Sequence, residues 1–399
     1  MRAALLLIPF LAGCATMTPP TAPPDAQVGI AFTRDGEISS FAEGLADPAA
    51  GRAVTPDDPV RIASISKLVV AIGVMKLVEA GAVDLDADVS VYLGWTPTNP
   101  AYPDHKVSLR HLLSHTSSVR DHDDQYAVPL GETVEAAMVA RTSWDTSNPP
   151  GRRFHYSNMN FPIVAEIIEH MTSERFDIWM RREVLDPMKI DACFNWPTCS
   201  DAAVARAVVL RQDGKVVRDD LQGKRPDCPV FVRDGEACDL SRWKLGDNGS
   251  LFSPQGGLRI SARGLARVGR LLLGGGTLDG VRILSPQSVD TLLTQVWRFD
   301  GRNGDTEDGF YCSYGLATRQ IPTSGAGCAD NPGTRGATFV GHAGDAYGVR
   351  SGLWIDRAAG HGIAYFVTGL PADPPRGRGT AFRAAEQDAF RRTLGLIRP

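Results

Sequence analysis

The feature that most constrains this chain is the segment Arg61-Ile62-Ala63-Ser64-Ile65-Ser66-Lys67, followed at once by the apolar run Leu68-Val69-Val70-Ala71-Ile72-Gly73-Val74-Met75. A run of that composition carries Lys67 into the protein interior. On a helix, positions three apart share a face, so the Lys67 ammonium reaches back toward the Ser64 hydroxyl. The N–H groups of a first helical turn have no partner within the helix and make its surroundings electropositive. A serine hydroxyl alone is a poor nucleophile, and a desolvated lysine of lowered pKa beside it is one of the few groups able to take its proton. Ser-x-x-Lys is equally the pattern of an ordinary capped helix, so it acquires meaning only with the stretches that accompany it.

Residues 1–13 combine one basic residue with a short apolar region and end Leu11-Ala12-Gly13 before Cys14. They read as an export signal, because the apolar part is shorter than the ~20 residues a membrane-spanning helix needs. Leu-Ala-Gly-Cys resembles the bacterial lipoprotein cleavage site, which makes Cys14 the expected lipidation site. Ordinary cleavage after Ala15 is the alternative. Residues 14–26 hold Pro19, Pro20, Pro23 and Pro24 and read as an extended tether. The expected localisation is the bacterial cell envelope, on the periplasmic side, lipid-anchored to the membrane.

Beyond the tether, apolar runs at 27–32 and 38–41 flank an Asp35-Gly36 pair, a strong hairpin signal. Helical patterning then dominates, with helices predicted over 107–117, 159–170, 173–185, 262–273 and 286–294. Strand patterning returns at 311–321, 338–340, 348–355 and 362–368, and a last helix covers 380–394. Sheet material at both ends with helices between predicts one antiparallel sheet built from both termini. The expected fold class is therefore α/β (α+β), with an α/β subdomain of residues 27–58 and 285–399 and a mainly helical subdomain of residues 59–284. The length remaining after residue 13 suits two subdomains with a cleft between them.

With 42 basic and 46 acidic residues, net charge −4, the chain has no electrostatic footprint for nucleic acid. Membrane contact is assigned to the lipid anchor, and no obligate protein partner is evident. Removing Cys14 from seven cysteines leaves Cys193, Cys199, Cys228, Cys238, Cys312 and Cys328, an even number that suggests disulfides in an exported chain. Sequential pairing closes the shortest loops, although other connectivities stay open. A zinc site is disfavoured, since no Cys-x-x-Cys occurs and no histidine lies between Cys193 and Cys328.

Four further landmarks accompany Ser64 and Lys67: His111-Leu112-Leu113-Ser114-His115-Thr116, Tyr156-Ser157-Asn158, Ser253-Pro254-Gln255-Gly256-Gly257-Leu258, and Gly341-His342-Ala343-Gly344. In this order they resemble the penicillin-recognising serine hydrolases, nearest to class C β-lactamases, D-stereospecific peptidases and related esterases. The resemblance covers about residues 27–369 and implies the β-lactamase and transpeptidase-like fold. It implies that Ser64 is the acylated nucleophile, Lys67 its proton acceptor, and Tyr156 a proton shuttle whose phenol pKa is lowered by neighbouring cations. Asn158 would bind the acyl-side amide, and His342, Gly344 and Asp345 would line the substrate, with the backbone N–H groups of Ser64 and Asp345 as oxyanion hole.

His342 stands where β-lactamases usually have lysine. A histidine of ordinary pKa is mostly neutral at pH 7, which ranks a D-peptidase, carboxypeptidase-like or esterase activity on a small-molecule or peptide substrate above true β-lactamase activity. A silent peptidoglycan-binding or sensor module is the rival of a different class. No cofactor and no metal are expected: His111 and His115 share a helix face near His122, but no ligand-spaced carboxylate pair joins them, and Asp121, Asp123 and Asp124 read as a solvated loop. Glu166 and Glu169 read as the polar side of a helix.

Overall fold

The computed structural model describes residues 23–121, 126–140 and 143–397; Cys14, the leader, the start of the tether and His122 lie outside them. Strand Ala26–Thr33 turns back into strand Glu37–Asp47, and its other edge pairs antiparallel with His361–Thr368, Ala26 opposite Thr368 and Thr33 opposite His361. The N-terminal hairpin therefore completes a sheet begun at the other end of the chain. Seven strands follow in the order Arg319–Ile321, Phe339–Ala346, Val349–Asp356, His361–Thr368, Ala26–Thr33, Glu37–Asp47 and Arg52–Ala53. This is the antiparallel sheet expected from the two ends.

Strand alternation gives the sheet two apolar faces. Val28, Ile30, Phe32, Leu353 and Phe366 join one buried cluster with Leu265 and Val268 of helix Ala262–Leu273. Ile363, Tyr365 and Val367 form another with Ala389, Phe390 and Leu394 of helix Ala384–Leu394. Each fully buried large side chain contributes roughly 1.5–3 kcal/mol, so two helix-covered faces make this sheet a rigid support. Helix Ala262–Leu273 starts where the spacing predicts it: Ser261 accepts from the Gly264 N–H at 3.0 Å. It packs on the sheet although it lies within 59–284.

Helix Ser66–Glu79 is buried on nearly every side, from Lys67 through Met75. Also in the helical part is Asn160–Thr172, packed against the helices Leu109–Leu113 and Phe176–Met180. Glu166 and Glu169 on Asn160–Thr172 correct their expected place on a polar face, because both are buried. Glu166 accepts from Trp95 Nε1 at 3.0 Å and Gly249 N at 3.3 Å, and Glu169 from Phe176 N at 2.9 Å and Gly246 N at 3.0 Å. They tie the 246–249 loop and the next helix to this one, satisfying backbone donors that water cannot reach.

Two strand boundaries also differ from expectation. The predicted strand 311–321 is two short pieces, Ser313–Tyr314 and Arg319–Ile321, while 338–340 extends to Phe339–Ala346. Gly341 and Gly344 give that strand poor strand character in sequence, yet both serve close approach. A Cβ on Gly341 would lie 1.9 Å from Leu353 O, and one on Gly344 would lie 2.2 Å from Ile62 O. The cysteines pair sequentially, Cys193–Cys199, Cys228–Cys238 and Cys312–Cys328. Three disulfides fit an extracellular or periplasmic compartment.

Candidate active site

Ser64 sits in a single 3₁₀ turn, Ala63–Ile65, wedged between strand Val60–Arg61 and helix Ser66–Glu79. The turn is strained, since Ala63 takes φ 50°, a left-handed conformation costing roughly 1–2 kcal/mol for a residue with a Cβ. Ser66 holds it: the buried hydroxyl donates to Ala63 O at 2.6 Å and accepts from Leu258 N at 3.0 Å. On the sheet side, Ser351 Oγ donates to Ile62 O at 2.8 Å, through the gap that Gly344 leaves open. The nucleophile candidate is thus held at the seam between sheet and helices.

Lys67 is fully buried and its Nζ donates to three oxygens: Ser64 Oγ at 3.1 Å, Asn158 Oδ1 at 2.8 Å and Gln255 O at 2.7 Å. Burial disfavours the ammonium and lowers Lys67 to about 7, with Asp121 opposing the shift. At neutral pH a large fraction is therefore the neutral amine, whose lone pair can accept from the Ser64 hydroxyl while its N–H groups keep Asn158 Oδ1 and Gln255 O.

The Tyr156-Ser157-Asn158 turn enters the same site, and Asp121 fixes it. Asp121 Oδ1 accepts from Ser157 Oγ at 2.8 Å and Met159 N at 2.9 Å, while Oδ2 accepts from Asn158 N at 2.8 Å and Asn158 Nδ2 at 3.0 Å. Asp121 is not the solvated acid expected from sequence. It orients the Asn158 amide so that its oxygen faces Lys67.

Tyr156 departs from expectation in its electrostatics. Its ring stacks on His115 at 4.2 Å and on Tyr311 at 4.8 Å, and Lys67 Nζ lies 5.0 Å from its centroid. Burial raises the phenol well above its ordinary value; the neighbouring Ser64 and Tyr311 hydroxyls offset this only in part. Among the described residues the buried Tyr156 hydroxyl has no partner in hydrogen-bond geometry, and with its pKa raised it is a proton-bearing phenol, not a lowered one. His115, buried and accepting from Ser157 N at 3.1 Å, supports the ring from behind.

His342 also needs correction. It is 1 % exposed, its Nε2 lies 2.6 Å from Tyr314 Oη, and its Nδ1 faces Ala343 O. A carbonyl only accepts, so Nδ1 carries the proton and Nε2 accepts from Tyr314. Burial, then the charge of Lys67, lower His342 to about 3. It is a neutral buried imidazole absent from the lining of both cavities that meet at Ser64. Gly344 and Asp345 do line the site, and Asp345 pairs with Arg350 at 2.6 Å.

A cavity of about 900 Å³ contains Ser64, Tyr156, Asn158 and Gln255 and extends to Trp196, Arg218 and Tyr347. On the other side of Ser64, a cavity of about 230 Å³ is lined by Tyr311, Gly344, Asp345 and Glu386. Asp121, His115, Tyr311 and the Gln255 carbonyl were missed as site members. Asp121 stands in an acid-rich run, His115 and Gln255 stand in the landmark stretches 111–116 and 253–258 without an assigned role, and Tyr311 carries no signal apart from the fold.

The fold is β-lactamase/transpeptidase-like. The Beta-lactamase family model matches residues 25–388, and the chain belongs to that family. Among curated proteins it is 27% identical over 265 residues to Penicillin-binding protein 4 of Amycolatopsis lactamdurans, covering 66% of this chain and 63% of that one. It is 41% identical over 179 residues to Esterase EstB of Burkholderia gladioli, covering 40% of this chain and 44% of that one. Both matches span less than two thirds of the relative's length. Among solved structures, D-amino acid amidase from Ochrobactrum anthropi SV3 superposes with a TM-score of 0.65 at 19% identity, over 94% of each chain. A penicillin-binding protein homologue from Pyrococcus abyssi gives 0.64 at 18%, over 94% of this chain and 74% of that one. At these identities the two structures speak for the fold alone.

Proposed function

We propose that the chain is a serine hydrolase that cleaves an ester or amide bond through a Ser64 acyl-enzyme. The observation that carries this reading is the fully buried Lys67, lowered to about 7, with its Nζ 3.1 Å from Ser64 Oγ. Neutral Lys67 takes the Ser64 proton as Oγ bonds to the substrate carbonyl carbon. The backbone N–H groups of Ser64 and Asp345 receive the resulting oxyanion; such a donor is worth about 3 kcal/mol. Collapse of the tetrahedral adduct breaks the bond to the leaving group, which takes a proton from the Tyr156 phenol while Lys67 returns one to Tyr156. Water, deprotonated by the same pair, then hydrolyses the ester on Ser64.

Two cavities meeting at the nucleophile suit a substrate with groups on both sides of the scissile bond. The larger, which contains Asn158, takes the acyl side, and the smaller takes the leaving group. Ester or D-peptide cleavage ranks above β-lactam hydrolysis because neutral His342 supplies no cation at the expected place. The esterase relative at 41% identity supports the same order.

Incubation with a chromogenic ester, a D-amino acid amide and a chromogenic cephalosporin, followed by intact-mass analysis, tests the reading. A substrate-derived adduct on Ser64 with turnover, both absent from Ser64→Ala, is expected. Turnover surviving in Ser64→Ala would overturn it. Envelope anchoring through Cys14 belongs to the same proposal; Cys14→Ser is expected to release the protein from membranes, and a mature chain starting unmodified after Ala15 would refute the anchor.

A further inference from the structure

The wall of the larger cavity farthest in character from the catalytic groups is cationic. Arg61 is 9 % exposed, yet its Nε has no hydrogen-bond partner, and among the described residues no carboxylate lies within ion-pair distance of its guanidinium. Its Cζ lies 4.9 Å from the centroid of the Tyr347 ring. Arg218, on the exposed strand Lys215–Arg218 and likewise without an acid partner, lies 5.0 Å from the same ring. All three residues line the cavity that contains Ser64 and Asn158. A buried guanidinium with an unused Nε donor is costly unless something completes its hydrogen bonds.

The acids on this wall are mostly engaged. Asp219 is held by Arg259 at 2.8 and 3.1 Å and by Trp196 Nε1 at 2.8 Å, leaving Asp220 as an exposed neighbour. Against burial, which works the other way, Arg61 and Arg218 together draw the Tyr347 phenol below its ordinary value. The local field is therefore positive where Arg61, Arg218 and Tyr347 meet.

From this geometry we infer that Arg61, Arg218 and Tyr347 form a subsite for a carboxylate carried by the acyl part of the substrate. The planar guanidinium fork matches a carboxylate, and Asp219 and Asp220 nearby favour a singly over a doubly charged group. The inference rests on the Ser64 acyl-enzyme reading for which side is acyl. It deepens that reading by naming the acyl group as a half-acid, for instance one derived from a dicarboxylic acid or an acidic amino acid.

Binding and turnover are measured separately. Adipate and hexanoate are titrated calorimetrically into the full chain, Arg218→Met, Arg61→Met and Arg61→Lys, and the p-nitrophenyl monoesters of both acids are assayed with each. Adipate is expected to bind at least tenfold more tightly than hexanoate, and the adipoyl-to-hexanoyl ratio of kcat/KM to fall about tenfold in Arg218→Met and Arg61→Met. Equal binding of the two acids, or a ratio unmoved by Arg218→Met, would overturn the subsite. Arg218 is exposed, so its variant keeps the test decisive if Arg61→Met fails to fold. Arginine-dependent adipate binding without turnover of any ester would refute the Ser64 reading and leave the subsite standing; ester turnover through Ser64 without acyl preference would do the reverse.

Discussion

Among the described residues two cations, Lys67 and Arg319, are completely buried, and they are housed in opposite ways. Lys67 has three oxygens within hydrogen-bond distance, whereas all three nitrogens of the Arg319 guanidinium lack a partner. Arg319 lies instead among rings, with its Cζ 4.0 Å from the centroid of Phe310, 5.1 Å from Tyr311, 5.3 Å from Phe382 and 5.7 Å from Trp354. A guanidinium does not give up its proton in proteins, while an ammonium readily does once desolvated. The polar cage therefore suits the proton exchange proposed for Lys67, and the aromatic cage suits a fixed charge beneath the Tyr311 side of the cleft. Both cages lie next to the same phenol, Tyr156, which stacks on Tyr311 and lies 5.0 Å from Lys67 Nζ by its ring centroid.

The sharpest break of this comparison replaces each cation by methionine. Lys67→Met is expected to lower kcat/KM by about a thousandfold or more, because Lys67 is the base whose Nζ lies 3.1 Å from Ser64 Oγ. It should not lower the melting midpoint. Lys67 is held below its unfolded value of 10.5 at about 7, so its charge penalises folding most below pH ~7, and that penalty fades as pH rises toward 10.5. The stabilisation of Lys67→Met over wild type should shrink along the same window. A fall in melting temperature with activity retained would reverse the assignment.

The pH profile sharpens the Lys67 half. Activity requires the neutral amine, so kcat/KM of wild type should rise with an acid-side midpoint near pH 7. Asp121 raises the Lys67 pKa and anchors the 157–159 turn through four hydrogen bonds, two of them to Asn158. Asp121→Asn is accordingly expected to move that midpoint to lower pH and to reduce kcat about ten- to hundredfold, as the turn loses its orientation. A midpoint that moves up or stays would mean that Lys67 is not the titrating base.

For the other cation, Arg319→Met removes one of the two charges, the smaller after Arg350, that partly offset the burial of Glu386, whose carboxyl burial raises to about 7 and whose Oε1 has no partner among the described residues. A carboxyl with a raised folded pKa loses stability as pH rises from about 4.5 toward that pKa. Without Arg319 the folded value climbs further, so the variant should lose about 1–3 kcal/mol at around pH 8 and less at around pH 5.5. Chemical denaturation at the two pH values measures this; a loss independent of pH would assign Arg319 to packing alone.

The contrast also explains what was legible in advance. Ser64, Lys67, Tyr156 and Asn158 converge as expected because short-range spacing and motif order encode them, and the two-ended sheet was visible as strand patterning at 27–41 and 348–368. The cages were not. Gln255 contributes a backbone carbonyl, Arg319 depends on rings scattered from Phe310 to Phe382, and Asp121 hides among the neighbouring acids at 123 and 124. Gly341 and Gly344 look like strand breakers until the approach of Leu353 O and Ile62 O is known. Burial is a property of the whole fold, which is why the directions of the Tyr156 and His342 shifts were beyond sequence reading.

His342 provides the smallest and most discriminating effect, because both cations act on it. Burial, Lys67 and Arg319 push its pKa down, and the Ala343 carbonyl pushes it up, leaving it at about 3. An imidazole that low stays neutral from about pH 5 upward, so no change in preference between a carboxylate-bearing and a neutral substrate should occur around pH 6.5. Removing one cation relieves only a secondary contribution, and burial still holds the ring neutral. The comparison is the ratio of kcat/KM for the adipoyl and hexanoyl esters between about pH 5.5 and 8, in wild type and Arg319→Met. Both ratios should vary less than about threefold. A ratio climbing tenfold as pH falls through 6.5 would mean that His342 does become an imidazolium facing the substrate, and the ranking of ester or D-peptide cleavage over β-lactam hydrolysis would lose its electrostatic basis.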